Sequence, residues 1–310
     1  MKNLPLVFVV LAAALLSAPV SAGVTVGVDQ TLGTASYRGT KADASLDLSD
    51  AIYVAPSFST YRSSQSSGTY YRGGLRAGYE VGPMSFGVEG SFVPKNNGYR
   101  QNSVGADATF SLAPGGTKHG KRMAGPSSES NETFGYGLAG VDVGAAFEHI
   151  THSDDFTATG TTGLGLRGRG AARTKSFVVG QNDLTAFAGA KFLIVEVSGS
   201  VTKSKYDKTL DGNSLRESQF LALSGFNSIA QGFPDTSTNL KVKLKTLPFV
   251  RPYASYTHTT FKLGAAPSNG VELGGVVGLD MLSVKAAYER YTQSGFANQN
   301  YYTLGASLNF

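Results

Sequence analysis

Cysteine and tryptophan are absent from the 310 residues, histidine occurs four times, and charged residues make up only 16%. Without cysteine there is no disulfide framework, no thiolate metal site, no cysteine nucleophile and no lipid-modified cysteine. An average soluble domain is about a quarter charged, so a generic cytosolic enzyme is a poor match. The surplus of 27 Lys+Arg over 22 Asp+Glu gives a formal charge of +5. These basic residues are dispersed among acids, and no Lys/Arg-dense helix is present, so nucleic acid is not expected as a partner. After Gly23 no apolar run is long enough for a transmembrane helix, and apolar residues hardly ever recur at three- and four-residue intervals.

What is present begins with an address. Lys2 supplies a cationic start, Leu4 to Leu16 is an almost unbroken apolar run, and Val20-Ser21-Ala22 has the small-x-small form of a signal peptidase site. A membrane anchor is the alternative, but a bilayer-spanning helix needs roughly 20 apolar residues. Residues 1–22 are therefore expected to be a signal peptide cleaved between Ala22 and Gly23, leaving 23–310 as one domain.

The mature part is organised by two-residue alternation. In Tyr70 to Glu80, Tyr71, Leu75, Ala77 and Tyr79 share one face, and Arg72, Arg76 and Glu80 share the other. After Val81-Gly82-Pro83-Met84, Phe86, Val88 and Phe92 oppose Ser85, Glu89 and Ser91, which reads as a hairpin. The same pattern sets Val104, Ala106, Ala108 and Phe110 against Asp107 and Thr109, and Leu240, Val242 and Leu244 against Lys241, Lys243 and Lys245. It continues with Val271, Leu273 and Val277 against Glu272 and Asp280. Through the short link Met281-Leu282 it reaches Val284, Ala286 and Tyr288 against Lys285 and Glu289. A soluble sandwich also alternates, but its outer face would be rich in Thr, Lys and Glu. Here the polar face is heavy in Gly and Ser, and the apolar face in Ala, Gly and aromatic rings, with 18 Phe and 15 Tyr in all. Segments of about ten residues with apolar side chains outward are the pattern of a membrane β-barrel. Closure is what allows a sheet to satisfy its backbone in hydrocarbon.

In these features the chain resembles the outer-membrane β-barrels of Gram-negative bacteria, in particular the porin-like group similar to the outer membrane protein A transmembrane domain. The residues that carry the resemblance are Arg76 to Glu80, Phe86 to Phe92, Arg251 to His258, Val284 to Tyr291 and the closing stretch that ends at Phe310. It implies an all-β, antiparallel transmembrane β-barrel in the outer membrane. It also implies partners in membrane lipid, lipopolysaccharide and the barrel-assembly machinery, for which Tyr302, Leu304, Leu308 and Phe310 would be the assembly signal.

Two regions, from about Ile52 to Leu112 and from about Phe249 to Phe310, would each supply four strands, and the middle of the chain four more. Twelve strands are expected, within a range of eight to fourteen. Parity slips near Gly140, which reads as a bulge; a turn at Ala139-Gly140 together with a strand at Val24 to Val28 would raise the count to fourteen. Short turns at Val81 to Met84, Phe192-Leu193, Leu247-Pro248 and Met281-Leu282 fall at the periplasmic end. Long loops near 149–182 and 204–239 fall outside the cell, while the Gly/Pro/Ser-rich stretch Ala113 to Glu132 falls at the periplasmic end against the rule of short turns there. Facing inward, Arg72, Arg76, Glu80, Glu89, Asp107, Lys241, Lys243, Lys245, Glu272, Lys285 and Glu289 would line a channel or plug it as a salt-bridge network.

The rest of the chain carries no recognisable catalytic or metal-binding pattern. His149-Ile-Thr-His152 with Asp154 and Asp155 is the only grouping that resembles a metal or acid/base site, and it reads better as a solvated loop. Gly163-Leu-Gly165-Leu-Arg-Gly168 matches the dinucleotide fingerprint formally, but without the strand and helix that make it work. Arg167, Arg169, Arg173 and Lys175 nearby suit lipopolysaccharide phosphates, or simply a soluble loop. No catalytic residue, metal or cofactor is assigned and no enzyme is expected. The expectation is passive diffusion of ions and small hydrophilic solutes, with a closed barrel acting as anchor, adhesin or envelope-stabilising protein as its rival.

Overall fold

The computed structural model describes residues 23–64, 68–96, 98–112, 123–126, 139–158, 173–208, 210, 233–244, 249–279 and 281–310. Residues 1–22, Lys245, Leu247-Pro248, Asp280 and the 163–168 glycine motif lie outside them. Fourteen strands follow one another: β1 (Val24–Gly33), β2 (Tyr37–Asp47), β3 (Ile52–Arg62), β4 (Tyr70–Val81), β5 (Met84–Asn96), β6 (Tyr99–Leu112), β7 (Ala139–Ala158), β8 (Arg173–Phe192), β9 (Val195–Tyr206), β10 (Pro234–Leu244), β11 (Val250–Phe261), β12 (Ser268–Leu279), β13 (Leu282–Gln293) and β14 (Gln299–Asn309). Each pairs antiparallel with its sequence neighbours, and β1 pairs with β14, so the sheet closes on itself.

The barrel has fourteen strands where twelve were expected. The two additional ones are β1 and β2, joined by a tight turn in which Tyr37 N–H reaches Thr34 O at 3.2 Å. Ala35 and Ser36 both take positive φ there, 57° and 53°. Two left-handed central residues make this a type I′ turn, which Asn-Gly or Asp-Gly would have announced and Ala-Ser does not. The parity slip at Gly140 is the start of β7 and not a bulge within it, since Ala139 and Gly140 pair in register with Phe192 and Lys191. β7 and β8 pair without interruption as far as Ala158 and Arg173. The described parts of the 149–182 stretch are thus paired strand, of which His149 to Asp154 still belong to the barrel wall through β6 and only the outermost part runs past the neighbouring strands.

With an even number of strands, Val24 and Phe310 come to the same end and bond each other's backbone, at 3.2 and 2.8 Å. This near end also carries Gly82-Pro83, Leu193-Ile194 and Met281. The far end carries the β1–β2 turn and the β7–β8 hairpin. Outward side chains between the two ends are apolar and exposed, Leu75, Val88, Leu184, Leu273 and Leu304 among them. Outward rings flank this belt: Tyr71, Phe92, Tyr256 and Tyr302 toward the far end, and Tyr79, Phe86, Phe110, Phe192 and Phe310 toward the near end. An apolar band between two aromatic girdles is the surface a bilayer requires.

Candidate functional site: the barrel lumen

The side chains facing inward form three tiers. At the far end, tyrosines from six different strands, Tyr37, Tyr61, Tyr70, Tyr99, Tyr291 and Tyr301, are buried in one layer with Val93 and Val179. Leu210 and Phe233, from the two sides of the β9–β10 connection, are buried against them. Tyr61 stacks on Tyr70 with centroids 5.5 Å apart, and Tyr37 meets Tyr301 edge-on at 5.3 Å. A polar chain borders the layer: Tyr99 Oη pairs with His152 Nδ1 at 3.0 Å, and His152 Nε2 with Gln181 Oε1 at 3.2 Å. The tyrosine layer is what sequence reasoning missed, because it counts aromatic rings with the outward apolar face. Strand parity held the correction, as Tyr70 shares a face with Arg72, and Tyr301 with Thr303.

Below this layer lies a cavity of about 610 Å³, bordered by Asp29, Lys41, Asp43, Arg72, Lys241, Glu272, Lys285 and Glu289 among others. Its wall mixes both signs of charge. Arg72 donates to Ser91 Oγ from Nε and Nη2, at 3.2 and 3.1 Å. Tyr253 Oη donates to Glu272 Oε1 at 2.7 Å, and the Lys241 ammonium sits 4.6 Å from the Tyr253 ring centroid. Asp29, Lys41 and Asp43 were missed together with the two strands that carry them.

Part of the expected charge is neutralised within the wall. Arg76 reaches Glu89 Oε2 at 3.2 Å, Asp107 Oδ2 at 2.6 Å and Tyr53 Oη at 3.2 Å. Gly87 makes room for this cluster, since a Cβ there would fall 2.1 Å from Arg76 Nη2. Lys243 pairs with Glu196 at 3.3 Å. Glu80 lies on the inner face close to the near end. Lys245 falls outside the described residues.

The third tier comes from the β6–β7 connection, where Met123 to Pro126 lies inside the barrel against β7 and β8. Met123 N–H donates to Asp142 Oδ2 at 2.6 Å, while Ser111 Oγ donates to Asp142 Oδ1 at 2.5 Å. Met123 and Ala124 are buried. The segment fits because β8 offers Gly189, whose added Cβ would stand 2.8 Å from Met123 Cβ. Pro126 borders the central cavity and a smaller one beside Glu148 and Asp183. The long connection that sat uneasily at the periplasmic end thus sends at least this piece into the lumen.

Alternation divides the histidine grouping between the two faces of β7. His152 and Asp154 point inward and are buried. His149 points outward to Asn182 Oδ1 at 2.8 Å, and Asp155 outward to Lys95 at 2.5 Å. Among the described residues no cluster of His, Asp and Glu could hold a metal ion.

No protein-family profile matches the chain, and no curated protein does. Solved structures do match. The CymD monoaromatic hydrocarbon channel superposes with a TM-score of 0.50 at 9% identity, over 93% of this chain and 88% of that one. CdiB from Acinetobacter baumannii gives 0.48 at 10% identity; 95% of this chain is covered, which spans only 61% of CdiB. The toluene transporter TodX from P. putida gives 0.45 at 13% identity, over 96% and 92% of the two chains. At such identities the likeness is one of fold alone, and nothing singles out the outer membrane protein A group.

Proposed function

We propose that the chain is an outer-membrane channel for passive diffusion of ions and small hydrophilic solutes. The observation that carries this reading is the central cavity of about 610 Å³ with charged side chains of both signs on its wall. An eight-stranded barrel is filled by its own side chains, whereas more strands leave free interior. Fourteen strands supply that interior here. Opposed charges across a passage set up the transverse field on which ion selectivity depends.

A second reading, a closed barrel serving as surface anchor, adhesin or envelope-stabilising protein, is favoured by the buried tyrosine layer across the far mouth. Planar-bilayer recording on protein that shows the heat-dependent gel shift of a folded barrel separates the two. Discrete open steps, with a reversal potential that moves toward cation preference in Lys285→Glu, are the expected result. Silence from folded protein would sink the channel reading and leave the closed barrel.

A further inference from the structure

The outward charges are distributed unevenly along the barrel. Among the described side chains, the charges on strands that lie outside the lumen are Arg38, Arg62, Lys95, Arg100, Lys203, Lys205 and Arg290, against two acids, Asp155 and Asp235, which Lys95 and Lys203 hold. All of them stand at the far end, just beyond the aromatic girdle. No described strand residue at the near end points a charge outward; Asp50, exposed in the β2–β3 turn there, adds a negative one.

Within this collar one pair stands out. Arg38 on β2 and Arg62 on β3 are directly opposite each other in the register. Both are exposed, and neither forms a hydrogen bond or ion pair among the described residues. The outward neighbours Leu32, Thr40, Thr60 and Tyr71 are all uncharged. By contrast, Lys203 is held by Asp235 at 2.7 Å, and Asp155 by Lys95. Like charges directly opposite on adjacent strands repel, so this arrangement calls for an anion between them. Both groups are guanidinium forks, which grip phosphate oxygens in pairs. At that height, outside a membrane-spanning barrel, the groups that meet these side chains are lipid headgroups.

We propose that Arg38 and Arg62 bind the phosphate of a phosphorylated membrane lipid in the leaflet at the far end, with the rest of the basic collar gathering further headgroups around the barrel. The proposal rests on reading the barrel as membrane-spanning. Its ligand is the lipid phosphate and not a free anion.

The test reconstitutes the protein in phosphatidylcholine vesicles with or without diphosphorylated lipid A and follows thermal unfolding by the heat-dependent gel shift. Lipid A should raise the midpoint for the parent, and Arg38→Gln/Arg62→Gln should lose most of that rise. In phosphatidylcholine alone the double variant should be at least as stable as the parent, because the repulsion is gone. Arg38→Lys/Arg62→Lys should keep part of the rise, having charge without the fork. An equal rise in parent and glutamine variant, or with dephosphorylated lipid A, overturns the site. A rise reproduced by millimolar inorganic phosphate overturns the lipid as its occupant. Parent protein that enters neither kind of vesicle defeats the membrane reading itself, an outcome distinct from the loss of the arginine effect.

Discussion

At the scale of single residues, the Arg76 cluster shows how far strand parity reaches. Alternation puts Arg76, Glu89 and Asp107 on the inner face, and they do face inward. Parity says nothing of partners, which depend on register across β4, β5 and β6 and on the space left by Gly87. The two acids also differ in exposure: the Asp107 side chain is 2% exposed and that of Glu89 36%. Removing one partner of a buried ion pair costs about 3–5 kcal/mol, because the other charge is left without water or counterion. Exposed pairs contribute about 0–1 kcal/mol. Arg76→Leu is therefore expected to lower stability by about 3–5 kcal/mol in urea unfolding from vesicles, and Glu89→Gln by no more than about 1 kcal/mol. Equal losses in the two variants would contradict the assigned burial. Lys243 is a poor probe of selectivity for a related reason, since reversing it would set two carboxylates against each other at Glu196.

At the scale of elements, a strand was legible where its outward face carries large apolar side chains. β3 to β6 and β11 to β14 have them and were read with their short turns. β2 presents Arg38, Thr40, Ala42 and Ala44 outward, too small and too polar for alternation to register. The outer half of β7 failed for a different reason. His149, Thr151, Ser153 and Asp155 face outward beyond the apolar belt, where nothing selects for hydrophobic side chains. The lumenal placement of Met123 to Pro126 left no pattern at all, because a segment packed on glycines and one aspartate has no period. Its position can be tested directly, since the chain has no native cysteine. Ala124 is buried, so Ala124→Cys places a single thiol inside the barrel against β8. That thiol should resist a bulky maleimide in the folded barrel and react once the protein is unfolded by heat, which mass spectrometry reads as the labelled fraction. Prompt labelling of the folded protein would remove the segment from this wall.

At the scale of the whole molecule, the barrel depends on one seam that is remote in sequence. β1 and β14 run in register from Thr25 opposite Asn309 to Gly33 opposite Tyr301, and Phe310 completes the seam through its two backbone bonds with Val24. Closure at this seam could be foreseen only in general terms, since local alternation cannot say which strands are neighbours across the gap. Phe310 therefore offers two separable features, a backbone and a ring. Its backbone fills the end of a seam whose unpaired groups would be costly in hydrocarbon. Its ring, 69% exposed at the near-end girdle, is what an assembly machinery could grip. Phe310→Ala keeps the backbone bonds and loses the ring, whereas deletion loses both. If the ring is the assembly signal, both variants should depress the yield of heat-modifiable barrel in the outer membrane severalfold below the parent, the deletion at least as far as Phe310→Ala. Refolding into vesicles without the machinery should then be hindered by the deletion alone. Normal outer-membrane yield from Phe310→Ala, with impairment confined to the deletion, would assign the residue to the seam and take the signal from it.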